Sequence, residues 1–202
     1  MSADPLVLAT RNQGKLHELA RILGTQIRLV GLDEFPGAPD EPETGATFEA
    51  NALLKARAIA TYTKLPAVAD DSGLCVDALN GMPGVLSARW AGQHGDDRAN
   101  LDLVLAQVAD VPDARLGARF VCAAALVVPA DGIPGEWVVT GQVEGRLVRV
   151  PQGSRGFGYD PIFQPDGFQE TTAEMTPDAK DAISHRGRAF RALAPFIIGG
   201  LT

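Results

Sequence analysis

The sequence predicts an α/β fold in which helices flank a central mixed β-sheet. Short apolar runs alternate with helical patterns in the first third of the chain, as they do in β-α-β units. Two longer extended segments, 120–128 and 137–150, follow one another closely and favour an antiparallel pair. The length of 202 residues, with 46% hydrophobic and 21% charged residues, suits a single globular domain that spans residues 1–202.

The first half of the chain is predicted to contain three strands and two helices. A polar turn after the strand at 6–9 leads into a helix with leucines at helical spacing, and Gly24 ends that helix. Thr47 caps an alanine-rich helix that ends near Tyr62. The other segments are a strand at 26–30, an acidic, proline-containing loop at 31–45, a buried strand at 67–69, the turn-like sequence Asp70-Asp71-Ser72-Gly73 and an extended run at 74–77.

The second half is predicted to contain one helix, the antiparallel pair and two helical segments near the C-terminus. Thr176 and Pro177 indicate a helix start, because threonine caps helices and proline fits their first position. Ser184 opens the final helix, which carries Phe190 and Phe196. The remaining segments are a glycine-rich loop at 80–95, a helix at 97–110, a turn-rich stretch at 129–135 and a polar loop at 151–165.

The charge balance and the hydropathy argue against a polyanionic partner and against a membrane span. The net charge of −7 lacks the basic character of a protein that binds nucleic-acid polymers or anionic membranes. The longest uncharged apolar stretch, 120–130, is about half of the ~20 residues that a membrane helix needs. The N-terminus lacks the pattern of a signal peptide, and Cys75 and Cys122 lack zinc-binding spacing, so we expect a cytoplasmic protein with reduced core thiols.

The first turn between a strand and a helix, Thr10-Arg11-Asn12-Gln13-Gly14-Lys15, has features of a phosphate loop. Backbone amides at a helix start and a lysine suit an oligophosphate. The turn is not a Walker A loop, because Ala9 and Leu16 occupy positions where that motif requires glycine and Ser or Thr. Lys15 is the candidate phosphate-binding charge, and an ordinary capped helix with a solvated lysine is the alternative.

Two adjacent carboxylates, Asp70 and Asp71, follow the buried strand at 67–69. Ligands of open α/β sheets bind outside the carboxyl ends of strands, where carboxylates can hold a divalent cation or act as a base. Neighbouring strand residues point in opposite directions, so one of the two aspartates faces the site. An acidic turn with Gly73 at positive φ is the alternative, and the separate roles of the two aspartates are left open.

A second polar group lies in the acidic loop and in the helix that follows it. Asn51 and Lys55 are four residues apart and share a helix face, with Glu43 in the preceding loop. A carboxylate for a metal, beside an amide and a lysine for phosphate, fits a site for a hard metal ion and a polyphosphate. Glu49 is better explained as a first-turn residue that complements the helix dipole.

The loop at 151–165 places aromatic residues between glycines. Phe157 and Tyr159 alternate with Gly156 and Gly158, where rings are poorly buried, so we predict an exposed pair that can stack on a flat ring. Asp160 follows directly in the same loop.

Three further polar residues, Lys180, His185 and Arg186, lie on or before predicted helix starts. His185 is either a surface residue or part of the site. His17 and His94 are interpreted as solvated surface residues.

Six motifs follow one another at consistent spacing along nearly the whole chain. They are Thr10-x-Asn12-x-x-Lys15; Glu43-Thr44-Gly45-x-Thr47-Phe48-Glu49-x-Asn51-Ala52 with Lys55; Ala69-Asp70-Asp71-Ser72-Gly73-Leu74; Pro83-Gly84-x-x-Ser87-Ala88-Arg89; Gly156-Phe157-Gly158-Tyr159-Asp160-Pro161-x-Phe163; and Lys180-x-x-x-Ile183-Ser184-His185-Arg186. In these motifs and in their order, the chain closely resembles the non-canonical purine nucleoside triphosphate pyrophosphatases, also known as the inosine/xanthosine triphosphate pyrophosphatase family. It departs from the pattern at Arg11, where relatives often have glycine, and at Ala50, which replaces a frequent acid.

The resemblance implies a Mg²⁺-dependent hydrolase that acts as a homodimer and converts ITP, dITP or XTP to the nucleoside monophosphate and pyrophosphate. It also implies two lobes with a nucleotide cleft between them. Asp71 would be the general base or the activator of water, and Glu43 with Asp71 would hold Mg²⁺. The residues that would contact the phosphates and ribose are Thr10, Arg11, Asn12, Gln13, Gly14, Lys15, Lys55, Ser72 and Lys180. The residues that would surround the base are Phe157, which stacks on it, and Gly158, Tyr159, Asp160, His185 and Arg186.

Base selectivity is expected to follow the polarity of the purine 6-position. Hypoxanthine and xanthine present an acceptor oxygen there and adenine a donor amine, so a donor such as Arg186 would favour the oxo bases.

Three alternatives stay open. A septum-inhibitor type of nucleotide pyrophosphatase prefers other nucleotides, and the motifs around Phe157 and His185 argue against it. A nucleotide sensor that does not hydrolyse its ligand would not need Asp71. A purely structural protein would leave an exposed aromatic pair and the adjacent aspartates without a reason.

Overall fold

Six β-strands and five α-helices form within residues 5–24, 27–130 and 135–200, the part of the chain that the computed structural model describes. The strands are β1 (Leu6–Leu8), β2 (Leu29–Val30), β3 (Ala67–Val76), β4 (Gly117–Val128), β5 (Gly135–Leu147) and β6 (Phe163–Pro165). The helices are α1 (Gln13–Leu23), α2 (Phe48–Thr63), α3 (Asp97–Gln107), α4 (Pro177–Ile183) and α5 (His185–Gly200). None of the helices in these ranges has both the length and the apolar character needed to cross a membrane.

The strands form one mixed sheet in the order β2-β1-β3-β4-β5-β6. β1 is parallel to both of its neighbours, with Val7 opposite Val30 on one side and Ala67 on the other. β6 runs antiparallel to β5, with Leu147 opposite Phe163. Parallel and antiparallel neighbours in one sheet, together with the helices, confirm the predicted α/β class.

Side-chain caps mark the starts of several helices: Asp96 caps α3, and the starts of α1, α2 and α4 have caps of the same kind. Asn12, Thr47 and Thr176 each accept a hydrogen bond from the backbone N–H three residues further on, at the starts of α1, α2 and α4. Such caps satisfy amide groups that have no partner within the helix, and Pro177 occupies the first position of α4 without losing a hydrogen bond. The predicted helix starts at Thr47 and Thr176 are therefore confirmed.

The described residues group into two compact units. Unit 1 is drawn from Met1–Asp71, Cys122–Gly141 and Arg186–Thr202, and unit 2 from Ser72–Val121 and Gln142–His185. The number of units agrees with the two lobes that the resemblance implies, while a single domain over residues 1–202 stays a prediction.

Each unit has its own hydrophobic core. In unit 1, residues of β1, β3 and β4 pack with α1 and with Phe190 and Leu193 of α5. In unit 2, residues of α3 pack with β4, β5 and β6 and with the ring of Tyr159. Phe196 of α5 is 41% exposed, and its ring lies against Trp137 with centroids 6.1 Å apart. Both cysteines are buried as thiols, as predicted.

The sequence Asp70-Asp71-Ser72-Gly73 is not a turn. β3 runs without interruption from Ala67 to Val76, and Gly73 lacks the positive φ that the turn would require. The prediction of a three-residue strand that ends at Ala69 is therefore wrong. The physical reason is that cations on other elements pair with both carboxylates, so the strand continues through residues that normally favour turns.

Some predicted boundaries differ from those of the structure. α3 ends at Gln107 instead of residue 110. β5 ends at Leu147 instead of residue 150. β2 covers Leu29–Val30, and residue 26 of the predicted strand lies outside the described residues, as do residues 131–134 of the predicted turn at 129–135.

Candidate active site

β3 directs the side chains of Asp70 and Asp71 to different sets of partners in unit 1. Asp70 Oδ2 lies 2.9 Å from Lys15 Nζ and 3.2 Å from Arg186 Nε. Asp71 Oδ1 instead lies 3.1 Å from Lys55 Nζ. The alternation expected of neighbouring strand residues is confirmed, and it gives the two carboxylates separate surroundings.

Asp71, Glu43 and Lys55 form the first cluster, which we call the Asp71 cluster. Lys55 Nζ contacts Glu43 Oε1 at 2.8 Å and Asp71 Oδ1 at 3.1 Å, so one ammonium group serves two carboxylates. Asn51, one helical turn before Lys55 on α2, donates from Nδ2 to Asp71 Oδ2 at 3.0 Å. The cluster carries a net charge of −1, which leaves it with an excess of negative charge for a cation to neutralise.

A close backbone approach holds the acidic loop against α2. The fully buried Asn51 accepts a hydrogen bond from Gly45 N at 2.7 Å through its Oδ1. A Cβ atom at Gly45 would lie 2.7 Å from that oxygen and 2.8 Å from the Cβ of Ala50, so only glycine fits here without a shift. The short spacing between Glu43 and this glycine explains how a loop residue comes to lie beside a carboxylate of β3.

The surroundings of Asp71 suit a proton acceptor near neutral pH. Burial raises the pKa of Asp71 to about 6; the negative charge of Glu43 adds to the rise, while Lys55 and the hydrogen bond from Asn51 oppose it. Burial also disfavours a charged Lys55, but Asp71, Asp70 and Glu43 outweigh it and raise the lysine pKa above its usual value. The lysine therefore stays protonated where the aspartate titrates.

Asp70 belongs to a second cluster, which joins Lys15, Arg186 and Glu18. Arg186 donates from Nη1 to Glu18 Oε2 at 2.5 Å and from Nε to Asp70. Burial disfavours a charged Asp70, but Lys15, Arg186 and Lys55 together hold the pKa of that carboxyl well below its usual range. Burial likewise opposes the charge on Arg186, which Asp70 and Glu18 preserve by raising its pKa. These four side chains carry two positive and two negative charges and balance each other.

The predicted phosphate turn is a capped helix start whose lysine is not solvated. Asn12 Oδ1 accepts from Lys15 N at 3.2 Å, and Lys15 Nζ is paired with Asp70. Gln13 donates to Asp33 Oδ2 at 2.8 Å. The alternative of an ordinary capped helix is therefore correct for the cap and wrong for the lysine, which has a buried carboxylate as its partner.

The other residues of this turn have less enclosed positions. Arg11 is exposed and donates from Nη2 to Ala38 O at 3.0 Å, while Thr10 Oγ1 accepts from Asn12 N at 3.2 Å. Gly14 is exposed at the first turn of α1. Phosphate binding by this turn stays a prediction.

Unit 2 brings together Phe157, Asp160 and Lys180. The buried Asp160 accepts from Phe157 N at 2.9 Å and from Lys180 Nζ at 2.5 Å through Oδ2, and from Thr172 Oγ1 at 2.8 Å through Oδ1. Lys180 Nζ also lies 5.4 Å from the centroid of the Phe157 ring, within the range of a cation–π contact. A buried aspartate thus organises both the aromatic residue and the lysine.

The prediction of an exposed aromatic pair is correct for Phe157 and wrong for Tyr159. Phe157 is 37% exposed, whereas Tyr159 is 5% exposed. The Tyr159 ring packs in the core of unit 2, and its hydroxyl donates to Ser87 O at 2.8 Å. Burial also raises the pKa of Tyr159, so the hydroxyl keeps its proton and its role as a donor.

His185 is buried, so its interpretation as a surface residue is wrong. Its ring stacks on Phe120, with centroids 4.9 Å apart and an interplanar angle of 14°. His17 and His94 are exposed, as predicted.

The predicted site residues divide between the two units. Unit 1 holds Thr10, Arg11, Asn12, Gln13, Gly14, Lys15, Glu43, Lys55, Asp71 and Arg186; unit 2 holds Ser72, Phe157, Gly158, Tyr159, Asp160, Lys180 and His185. Their roles toward a substrate stay predictions.

Sequence reasoning missed three residues that support these groups. Glu18 contacts Arg186, Thr172 contacts Asp160, and Asp97 accepts a hydrogen bond from Gly158 N. The sequence spacing could have indicated Glu18, because it follows Lys15 by three residues on α1 and therefore lies on the same helix face. No local pattern pointed to Thr172 or Asp97.

The Asp71 cluster has the donor set that Mg²⁺ prefers. Mg²⁺ is usually held by one or two carboxylates together with substrate phosphates and waters. Glu43 and Asp71 supply two carboxylates with an excess of negative charge. Over the described ranges, no group of three or more His, Cys, Asp or Glu residues forms a site that could hold a metal through protein ligands alone.

Comparisons with known proteins agree on one family. The model of the Ham1 family matches residues 6–196. A dITP/XTP pyrophosphatase of Streptomyces coelicolor is 62% identical over 195 residues, which cover 95% of this chain and 96% of that protein.

Solved structures give the same result. The crystal structure of a nucleoside-triphosphatase / dITP/XTP pyrophosphatase from Mycobacterium abscessus is 56% identical, with a TM-score of 0.76 over 95% of this chain and 99% of that one. A HAM1 protein from Coxiella burnetii is 42% identical, with a TM-score of 0.85 over 96% and 98% of the two chains.

Proposed function

The chain belongs to the Ham1 family, and from this premise we propose that it hydrolyses non-canonical purine nucleoside triphosphates (ITP, dITP and XTP) to the nucleoside monophosphate and pyrophosphate. Removal of deaminated purines from the nucleotide pool would follow from that reaction. Relatives named dITP/XTP pyrophosphatase, at 62% and 59% identity over 195 residues, support the substrate class. The observation that carries the proposal is the buried Asp71 carboxylate, held by Asn51 and Lys55 beside Glu43.

Asp71 is proposed as the base that accepts a proton from the attacking water. In the metal-free site burial raises the pKa of Asp71 to about 6, so the carboxylate is largely ionised at neutral pH, and a bound Mg²⁺ would favour the ionised form further. Asn51 donates to one of its oxygens and Lys55 to the other, which fixes the orientation of the carboxylate. Attack at the α-phosphorus would release pyrophosphate as the leaving group.

Local cations must outweigh the net negative charge of the protein. A triphosphate brings about four negative charges, and one charge pair at 4 Å is worth roughly 4 kcal/mol at an effective dielectric of 20. Lys15, Lys55 and Lys180 are the proposed phosphate-binding cations. Each is paired with a carboxylate in the structure, so phosphate oxygens would replace or extend partners that these lysines already have.

Mg²⁺ is the proposed cofactor, with Glu43 and Asp71 as its protein ligands. When bound, it would supply positive charge that stabilises the phosphates and the leaving group. Lys55, which contacts both carboxylates, would keep them in place and partly neutralised while the site is free of metal.

Phe157 is the proposed stacking partner of the purine base, with Asp160, Tyr159 and His185 as supporting residues. Base stacking on an aromatic ring is worth about 1–3 kcal/mol. Since Tyr159 and His185 are buried, their support comes through packing and hydrogen bonding within unit 2.

Arg186 is the proposed determinant of oxo-base selectivity. Its Nε and Nη1 already donate to Asp70 and Glu18. We expect Arg186→Ala to change the preference among ITP, XTP and ATP more than it changes the Mg²⁺ dependence. Equal preference profiles in variant and parent would contradict this assignment.

The resemblance to the pyrophosphatase family also suggests an oligomeric state and a cellular location for this protein. We propose a cytoplasmic homodimer, and light scattering after size exclusion would give about twice the mass of 21.3 kDa. A monomer at all concentrations would contradict it.

The deciding experiment is phosphorus NMR of the products from ITP, XTP, dITP, ATP and GTP, with Mg²⁺ and with chelator. We expect pyrophosphate and monophosphate from the inosine and xanthosine substrates only, with no product in chelator. Asp71→Asn should abolish the reaction, and Asp102→Asn, a change at an exposed carboxylate, should not. Orthophosphate would mean γ-cleavage, and binding without any product would favour a nucleotide sensor.

A further inference from the structure

Two carboxylates from different parts of unit 2 hold the loop that carries Phe157. Asp160 Oδ2, within the loop, accepts from Phe157 N at 2.9 Å. Asp97 Oδ2, from the first residue of α3, accepts from Gly158 N at 2.8 Å, across 61 residues of sequence. The backbone N–H groups of two consecutive residues therefore donate to two different carboxylates.

The backbone around Phe157 needs such anchors. Gly156 and Gly158 have φ values of +76° and +60°, so the aromatic residue stands between two glycines in the left-handed region. Glycine is the residue with the most backbone freedom to lose on ordering. The carbonyl of the peptide that follows Phe157 accepts from Asp160 N at 3.3 Å, and its N–H donates to Asp97. Loss of the bond to Asp97 would leave this peptide held at its carbonyl only and would loosen the direction of the ring.

We propose that Asp97 is a positioning residue that holds the Phe157 ring ready to stack on the purine base. This inference rests on the proposed function. The Phe157 ring is partly exposed and lies near Lys180, so it is available to a planar ligand. A ring that is already fixed loses less conformational freedom when it binds, which strengthens binding of the base without any new contact.

A different role for Asp97 makes a different prediction. An acid in the first turn of α3 also complements the helix dipole. Asp97→Asn removes the charge but keeps an oxygen that can accept from Gly158 N, whereas Asp97→Ala removes both. If the hydrogen bond matters, Asn resembles the parent; if only the charge matters, Asn resembles Ala.

The test compares the parent with Asp97→Ala, Asp97→Asn and the control Asp102→Ala, an exposed carboxylate on the same helix. For each protein, kcat and KM are measured with ITP and Mg²⁺, together with the inhibition constant of inorganic triphosphate, which has no base. We expect Asp97→Ala to raise KM for ITP by about three- to tenfold, the loss of one hydrogen bond, with kcat changed by less than about twofold. The inhibition constant should stay within about twofold of the parent, Asp97→Asn should recover most of the loss, and Asp102→Ala should behave as the parent.

Three results would overturn the inference. An unchanged KM in Asp97→Ala would show that the anchor does not matter for the base. Equal losses for ITP and inorganic triphosphate would show a general structural defect, and an Asn variant as weak as the Ala variant would assign the effect to charge. A parent that releases no pyrophosphate from any nucleotide would defeat the proposed function itself, and the inference with it.

Discussion

Replacement of Asp70 by asparagine should destabilise the protein strongly, although it removes only one charge. Asp70 is almost fully buried and contacts Lys15 and Arg186, whose side chains are 18% and 3% exposed. Breaking a buried ion pair from one side costs about 3–5 kcal/mol, because it leaves a buried charge without its partner. Lys15 can turn toward water and Arg186 keeps Glu18, so we expect a value at the lower end, about 3 kcal/mol.

Urea denaturation of parent and variant at pH 7 measures this loss in the free energy of unfolding. The control is Asp102→Asn, which breaks the exposed pair with Arg98 and should cost about 0.3–0.5 kcal/mol. By thermal unfolding, Asp70→Asn should lower Tm by about 6–12 °C, at roughly 2–4 °C per kcal/mol for a chain of this size. A loss below about 1 kcal/mol, or one equal to that of the control, would refute the assignment of Asp70 as a structural charge.

The same pair of proteins gives a pH test with a definite sign. The pKa of Asp70 is lower in the folded protein than its unfolded value of about 3.9. The ionised Asp70 therefore makes its full contribution to the free energy of unfolding at pH values above the unfolded pKa. That contribution is lost as the pH falls from there through the folded pKa. The stability difference between parent and Asp70→Asn should narrow below about pH 4, and a difference that stays constant down to pH 3 would contradict the linkage.

Three further changes test other parts of the two units. In the metal-free protein, carbon NMR should show the Asp71 carboxyl titrating near a pKa of about 6, and Glu43→Gln should lower that value because it removes a neighbouring negative charge. Tyr159→Phe should reduce the free energy of unfolding in urea by about 1–3 kcal/mol, since a buried carbonyl loses its donor; no loss would mean that water replaces the hydroxyl. Gly156→Ala should be destabilised by about 1–3 kcal/mol or more in the same assay, because its Cβ would lie 2.0 Å from Asp160 Oδ2 at a φ of +76°; full stability would show that the loop adapts.

Local patterns were sufficient to predict most of the elements. Alternating apolar runs, the caps at Thr47 and Thr176 and the spacing of Asn51 and Lys55 depend on neighbours within a few residues, and the structure confirms them. The same holds for the opposite directions of Asp70 and its neighbour, once they lie on a strand. These features require no knowledge of distant parts of the chain.

Features that depend on distant partners could not be predicted in this way. The aspartates of β3 resemble a turn when they are considered alone, because the cations that neutralise them include Arg186, 116 residues away from Asp70. The glycines near Tyr159 in the sequence suggest an exposed ring. In the structure its hydroxyl donates to the carbonyl of Ser87, 72 residues away. The stacking of His185 on Phe120 is of the same kind. In each case the deciding contact is between segments that sequence spacing does not relate.

The second cluster, formed by Asp70, Lys15, Arg186 and Glu18, can be completed only late in the synthesis of the chain. Lys15, Glu18 and Asp70 leave the ribosome early, but Arg186 follows only after the whole of unit 2 has been made. Protein segments begin to fold during synthesis. Asp70 and Glu18 cannot form their contacts with Arg186 until that residue has been synthesised. A chain that stopped just before α5 would contain every residue of the Asp71 cluster and still leave two carboxylates of unit 1 without the guanidinium that joins them. The second cluster is therefore completed only when α5 has been added to the chain.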